Sequence, residues 1–121
     1  MKKNMNKFGV VCPSDETLKE NIRPINGDSW KIRNVDFVSF NFKDDADKRK
    51  TYGVIAQQVR ARGLEELVHV KEDGTLGVDY ISLLILENSR LRDEVNHLGF
   101  QISDLRRRVD ELSKKDNETN K

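Results

Sequence analysis

One cysteine, two prolines and two histidines stand in this chain of 121 residues. The lone Cys12 excludes an internal disulfide and a multi-cysteine metal site. His69 and His97 lie far apart, which argues against a zinc cluster, and no cofactor is implied. No apolar run approaches membrane-spanning length. The start, Met1-Lys2-Lys3-Asn4-Met5-Asn6-Lys7, is basic but lacks a signal-peptide apolar core. The formal net charge is only +1, so composition makes no case for nucleic acid or membrane as a partner. What the chain has in quantity is charge. Charged residues equal hydrophobic ones at 36% each, a polar balance for a compact monomer of this size. A long exposed helix, or a core completed by partner chains, accounts for it.

Residues 1–13 read as an upstream leader, the end of a stalk or an expression leader. Within it Phe8-Gly9-Val10-Val11-Cys12 is apolar enough for a short strand, which Pro13 ends. Residues 14–22 predict a short helix with Ser14 or Asp15 as N-cap and Glu16 in its first turn. Pro24 and Asn26-Gly27 predict a turn. Trp30-Lys31-Ile32-Arg33 and Val35 to Phe42 read as strands, the second with Val38, Phe40 and Phe42 on one face. Lys43 to Lys50 is charged and reads as a hairpin loop, with Thr51 to Ile55 returning. Ala56 to Arg62 predicts a helix ended by Gly63. Leu67 to Val70 and Leu76 to Asp79 predict a hairpin across Asp73-Gly74. Residues 14–80 are therefore expected to form a small α+β globular unit rich in hairpins.

From Ile81 the pattern changes. Leu84, Leu91, Leu98, Leu105 and Leu112 recur every seven residues at heptad position d. Ile81, Asn88, Val95, Ile102 and Val109 occupy position a without a slip. Such a stripe has no core of its own and must bury against other helices, so residues 81–113 predict a coiled coil. Glu87 at g and Arg92 at the following e are placed to pair between parallel chains. Asn88 is the polar exception, either tolerated near the start of the coil or selecting register and strand number. The nearly apolar turn Ile81 to Leu86 is expected to pack on the globular unit as well. Gly99 weakens the helix by about 1 kcal/mol. Phe100 falls at outward position f. Arg106-Arg107-Arg108 point in different directions on a helix and read as a solvated face. Residues 114–121 are expected to fray. A leucine-zipper transcription factor is set aside, because Gly74 to Ser82 is not basic and holds two glycines.

Ser14-Asp15, followed by Leu18-Lys19-Glu20-Asn21-Ile22, resembles the opening motif of the C-terminal intramolecular chaperone domains of phage tailspikes, endosialidases, tail fibres and neck appendages. That motif usually reads Ser-Asp-x-Arg-Leu-Lys. Tyr52-Gly53-Val54-Ile55-Ala56-Gln57-Gln58-Val59 resembles the family's second motif, and Leu67-Val68 with Val78-Asp79-Tyr80 and Leu83-Leu84 its third. Thr17 stands where Arg is usual and Gln58 where Glu is common.

The resemblance implies an α+β unit on a parallel trimeric coiled coil. It implies a homotrimeric chaperone that assists an upstream β-rich stalk of the same polypeptide. Such a module then cuts itself off at Pro13–Ser14 with a Ser14/Lys19 dyad, acting in the host cytoplasm during virion assembly and absent from the mature virion. By themselves a serine and a lysine five apart read as a cap and a solvated lysine; the resemblance is what points to chemistry. In that chemistry Ser14 attacks the Pro13 carbonyl and Lys19 takes its proton. A free lysine titrates near ~10.4, so burial or a nearby cation must lower the value, and trimer assembly can supply the burial. Asp15 is a candidate to orient Lys19 or to cap a helix. Asn21 is a second supporting candidate. Gln57 is a candidate oxyanion donor or a structural hydrogen-bonding residue. His69 and Tyr80 read as structural, and Cys12 as an incidental or buried thiol. Ile and Val at a with Leu at d lean toward two strands, whereas the resemblance implies three; three is adopted because the globular units and the stalk also constrain symmetry. The alternative is a trimerisation module of a viral fibre that does not cut. In either case a much longer parent protein is expected.

Overall fold

A computed structural model describes residues 5–6 and 9–119. Part of the expected leader, including Phe8 of its strand, and Asn120 and Lys121 of the tail lie outside the described residues. The first elements are β1 (Met5–Asn6) and β2 (Gly9–Val10), paired antiparallel. A single 3-10 turn follows at Glu16–Leu18 where the short helix was expected.

Trp30 to Arg33, expected as a strand, is helical. Helix α1 (Asn26–Lys31) runs into a 3-10 turn at Ile32–Asn34. Ile25, Ser29 and Ile32 are spaced by four and three, so a helix puts all three on one face. Ser29 and Ile32 are buried there. Trp30 stays outside at 60% exposure, with the Arg33 guanidinium 5.5 Å from its ring centroid.

The expected strand over Val35–Phe42 shortens to β3 (Val38–Phe40), because Val35 turns into the core and Phe37 faces out. β3 pairs with β4 (Thr51–Gly53), Val38 opposite Gly53. The rings of Phe40 and Phe42 meet edge to face at 5.2 Å. Asp45 ties the charged loop, accepting from the backbone N–H of Asp47 and of Arg49 and from Arg49 Nε, each at 3.1 Å. The Arg49 side chain, then its backbone N–H, holds the Asp45 carboxyl below its usual range.

Helix α2 (Ala56–Ala61) ends as expected at Gly63, whose φ of +85° suits glycine. A 3-10 turn at Glu65–Leu67 leads into β5 (Val68–Val70), which pairs with β6 (Leu76–Val78) across Gly74 at φ +84°. The 40-residue helix α3 (Tyr80–Thr119) follows. It extends through Thr119 where fraying was expected from Lys114. Its last turns are polar but contain ordinary helix formers, and Thr119 Oγ1 donates to the Lys115 carbonyl at 2.8 Å.

Eight residues form the core: Ile32, Val35, Val54, Val59, Leu64, Leu67, Leu83 and Leu86, with Ile25, Val68 and Val78 packed against them. Leu83 and Leu86 come from α3, so its first two turns close the globular unit. The heptad stripe points elsewhere. At about 100° per residue, the a and d positions lie roughly 150° around the helix from Leu83 and Leu86. In one chain every a and d side chain from Ile81 to Leu112 is exposed, Leu91 at 46% and Val95 at 65%. Within one chain Arg90 of the same helix binds Glu87 and also Glu94. Arg107 and Arg108 likewise pair with Asp104, and Arg107 with Glu111.

The junction between sheet and helix explains two of the three motifs. Asp79 caps α3: its carboxylate accepts from Ser82 N at 3.1 Å and Ser82 Oγ at 2.7 Å. Its own N–H donates to the Leu67 carbonyl at 2.8 Å, locking the helix start to the β5 entry. The Tyr80 hydroxyl accepts from Val54 N at 3.1 Å. It sits directly over Gly53, where a Cβ would run into that hydroxyl and press on Phe40 at 3.2 Å. Gly53→Ala is therefore expected to destabilise the unit by about 1–3 kcal/mol in urea titration. Tyr80→Phe in the same chain should recover part of that loss, because the hydroxyl is what the methyl meets; simple additivity of the two would refute this account.

Candidate active site

Ser14 and Lys19 are brought together by the local chain, not by the core. Asp15 is extended at φ −65° and ψ 134°, and its Oδ1 accepts from Thr17 N at 2.9 Å and Thr17 Oγ1 at 2.8 Å. These bonds, backbone first, hold the Asp15 carboxyl below its usual range. The Leu18 N–H donates to the Asp15 carbonyl and the Lys19 N–H to the Glu16 carbonyl, closing the tight turn. Lys19 then returns to extended backbone, and its side chain reaches back across the turn. Its Nζ donates to Ser14 Oγ at 2.9 Å. The hydroxyl and the amine are in direct hydrogen-bond contact, the distance that proton transfer requires.

The supporting candidates divide. Asp15 acts as the cap of the turn. Thr17, standing where Arg is usual, supplies both groups that clamp Asp15; its pairing with an Asp two residues earlier was a readable signal. Asn21 has a left-handed backbone, φ 54°, which Asn tolerates better than most residues, so its part is to bend the chain after Lys19. Gln57 is not at the pair. It lies exposed on α2, in a cleft of about 360 Å³ with Phe40, Phe42, Ile55, Lys71 and Tyr80. Its neighbour Gln58 has the structural role: Nε2 donates to Asp36 Oδ2 and Oε1 accepts from Asp36 N, both at 2.9 Å. An amide can do both, whereas an ionised carboxylate has no proton to give Asp36. Nothing local in the sequence pointed to a partner 22 residues away. His69 and Cys12 are exposed.

Every residue from Val11 to Pro24 is exposed, including Leu18 at 72% and Ile22 at 68%. A larger cleft, about 610 Å³ between α1 and α3, is lined by Trp30, Arg33, Arg90 and His97 among others. Its one hydroxyl, Ser29, is buried, and its Arg90 is held by two glutamates. Among the described residues no group of three His, Cys, Asp or Glu is arranged to hold a metal, and no helix is long and apolar enough to cross a membrane.

Residues 14–69 match the family described as chaperone of endosialidase, and the match begins at Ser14 itself. This segment belongs to that family. No curated protein matches the chain. The chaperone-of-endosialidase family is of serine-peptidase type and self-cleaving. Its match opens at the nucleophile candidate and runs through the second motif to β5; α3 lies beyond it.

The Asp15 clamp makes the turn testable. Asp15→Ala removes both bonds to Thr17 and so loosens the turn that carries Lys19. Processing at Pro13–Ser14 is expected to slow about fivefold, with partial recovery in Asp15→Asn, whose amide oxygen still accepts. The sign with pH follows from the lowered carboxyl. The clamp contributes above the unfolded value of 3.8 and is lost as pH falls through the lower folded value.

Proposed function

We propose that this chain is an intramolecular chaperone that trimerises through α3, aligns the copies of an upstream stalk, and then severs itself from that stalk at Pro13–Ser14. The single observation that carries the chemistry is the 2.9 Å contact between Lys19 Nζ and Ser14 Oγ, at the residue where the family match begins. Ser14 Oγ attacks the carbonyl carbon of Pro13. The hydroxyl proton passes to neutral Lys19 and from there to the Ser14 nitrogen as the C–N bond breaks. The product is an ester between Pro13 and Ser14 Oγ. Water adds to that ester and restores the serine hydroxyl, leaving a Pro13 carboxylate and a Ser14 α-amine.

Trimerisation is supported by the stripe on α3, exposed along its whole length in one chain and set on the side away from the core. A primary amine in water is protonated at neutral pH and cannot act as a base. Assembly that covers the exposed segment 11–24 removes that water, so cleavage is coupled to correct association. The module works in the host cytoplasm during virion assembly and does not remain in the mature particle. The test is a denaturing gel of the module carrying an upstream segment. A cut at Pro13–Ser14 in trimers of the parent, absent in Ser14→Ala and Lys19→Ala trimers, is the expected result. Uncut parent trimers would leave a trimerisation module that does not cut, and efficient cutting by monomers would refute the coupling.

A further inference from the structure

The pair Ser14–Lys19 offers a nucleophile and a base, and its segment lies in solvent; acyl transfer also calls for a donor to the negative charge that develops on the Pro13 carbonyl oxygen. The cleft that holds Gln57 has the opposite character: an exposed amide donor beside uncovered aromatic and aliphatic side chains, Phe42 at 57% exposure among them. We propose that the Ser14–Ile22 arm of each copy docks in the Gln57 cleft of a neighbouring copy, whose Gln57 amide then donates to the Pro13 carbonyl oxygen. The inference rests on the self-processing reading above and adds that the site is shared between protomers.

Three observations favour a second copy as the occupant. First, the arm presents Leu18 and Ile22, uncovered and four residues apart, to an apolar cleft with room for aliphatic side chains. Second, the charges are complementary. The arm carries Asp15, Glu16 and Glu20 against one lysine, and the charged residue lining the cleft is Lys71. Third, the cleft is continuous with the heptad stripe. Tyr80 lines the cleft and Ile81, the next residue, is the first rung of the stripe, so the cleft lies at the base of the face that would join copies along α3. The arm's own cleft does not hold it. An arm seated by Leu18 keeps the Pro13 carbonyl close, since five residues span at most about 17 Å, and less across a 3-10 turn. During attack the electron pair of the carbonyl moves onto its oxygen, and the Gln57 N–H meets that charge until the C–N bond breaks and the carbonyl re-forms.

Mixed trimers test this. One chain carries Ser14→Ala with its cleft intact; the other keeps Ser14 and Lys19 but carries Phe42→Asp and Ile55→Asp. Upstream tags of different mass identify each chain. Neither homotrimer should be cut. In trimers assembled at equal ratio, about half of the cleft-altered chains have an intact neighbour in a cyclic trimer, so about half should be cut, and none of the Ser14→Ala chains. Should the aspartates block assembly, Gln57→Ala replaces them; its homotrimer should cut about 10²-fold more slowly, with the same partial rescue by Ser14→Ala chains. Cleft-altered homotrimers that cut at the parent rate would overturn the docking. Mixed trimers that stay uncut while parent trimers cut would overturn sharing between copies and leave the dyad standing. Parent trimers that never cut would remove both.

Discussion

Ser14→Ala and Lys19→Ala are each expected to lower the rate of the Pro13–Ser14 cut by at least ~10³-fold while leaving the trimer intact. The two substitutions remove different things. Alanine at 14 removes the hydroxyl that adjoins the Pro13 carbonyl. Alanine at 19 removes the amine that lies 2.9 Å from that hydroxyl. Both residues are exposed and outside the core, so the fold should not report their loss. Lys19→Arg sharpens the test. A guanidinium can still donate to Ser14 Oγ, but it does not lose a proton in proteins and cannot be a base. If the contact merely shapes the turn, Arg should preserve processing; if the amine takes the proton, Arg should be as inactive as Ala. Mass spectrometry of the released product, with sedimentation of the same sample, separates chemistry from assembly.

Replacing Leu91 and Leu98 together with Asp should abolish both the trimer and the cut. These residues are the second and third d positions, half-exposed in one chain at 46% and 47%. In a bundle each would place three carboxylates in one layer with no counter-charge, and burying an unpaired charge costs several kcal/mol. Sedimentation should show monomers. The globular unit should nonetheless stay folded, because its closure uses Leu83 and Leu86 on the other side of α3. Circular dichroism should therefore keep the β5–β6 unit and lose helix from the distal part of α3. A trimer that survives both aspartates would move the assembly surface off the heptad stripe.

How much could be read from the residues depended on the range of the interaction. The turn at Asp73-Gly74, the loop from Lys43 to Lys50 and the end of α2 at Gly63 were legible, because each is set by residues next to one another. The segment Trp30–Arg33 was misread. Its apolar residues fit alternation as a strand, and only the burial of Ser29 and Ile32 together reveals the helical face. Heptad spacing also ignores Arg90, one turn along the same helix, which pairs with Glu87 within a single chain. Of the candidate site, Ser14 and Lys19 were identified through the motif and lie in contact, while Gln57, a candidate oxyanion donor or structural residue, lies apart from them in a single chain.

The linear pattern was enough for the α+β class, the hairpins, the unbroken heptads and the five-residue interval from hydroxyl to amine, since all of these are repeats or short spacings that need no knowledge of what packs where. Folding in three dimensions decided that Gly53 must lack a side chain to admit Tyr80, that Asp79 starts α3, and that Gln58 answers Asp36 across 22 residues. It also decided which side of α3 closes the globular unit and which stays exposed in a single chain. Those outcomes depend on contacts between segments distant in the chain, and a one-dimensional spacing carries no record of them.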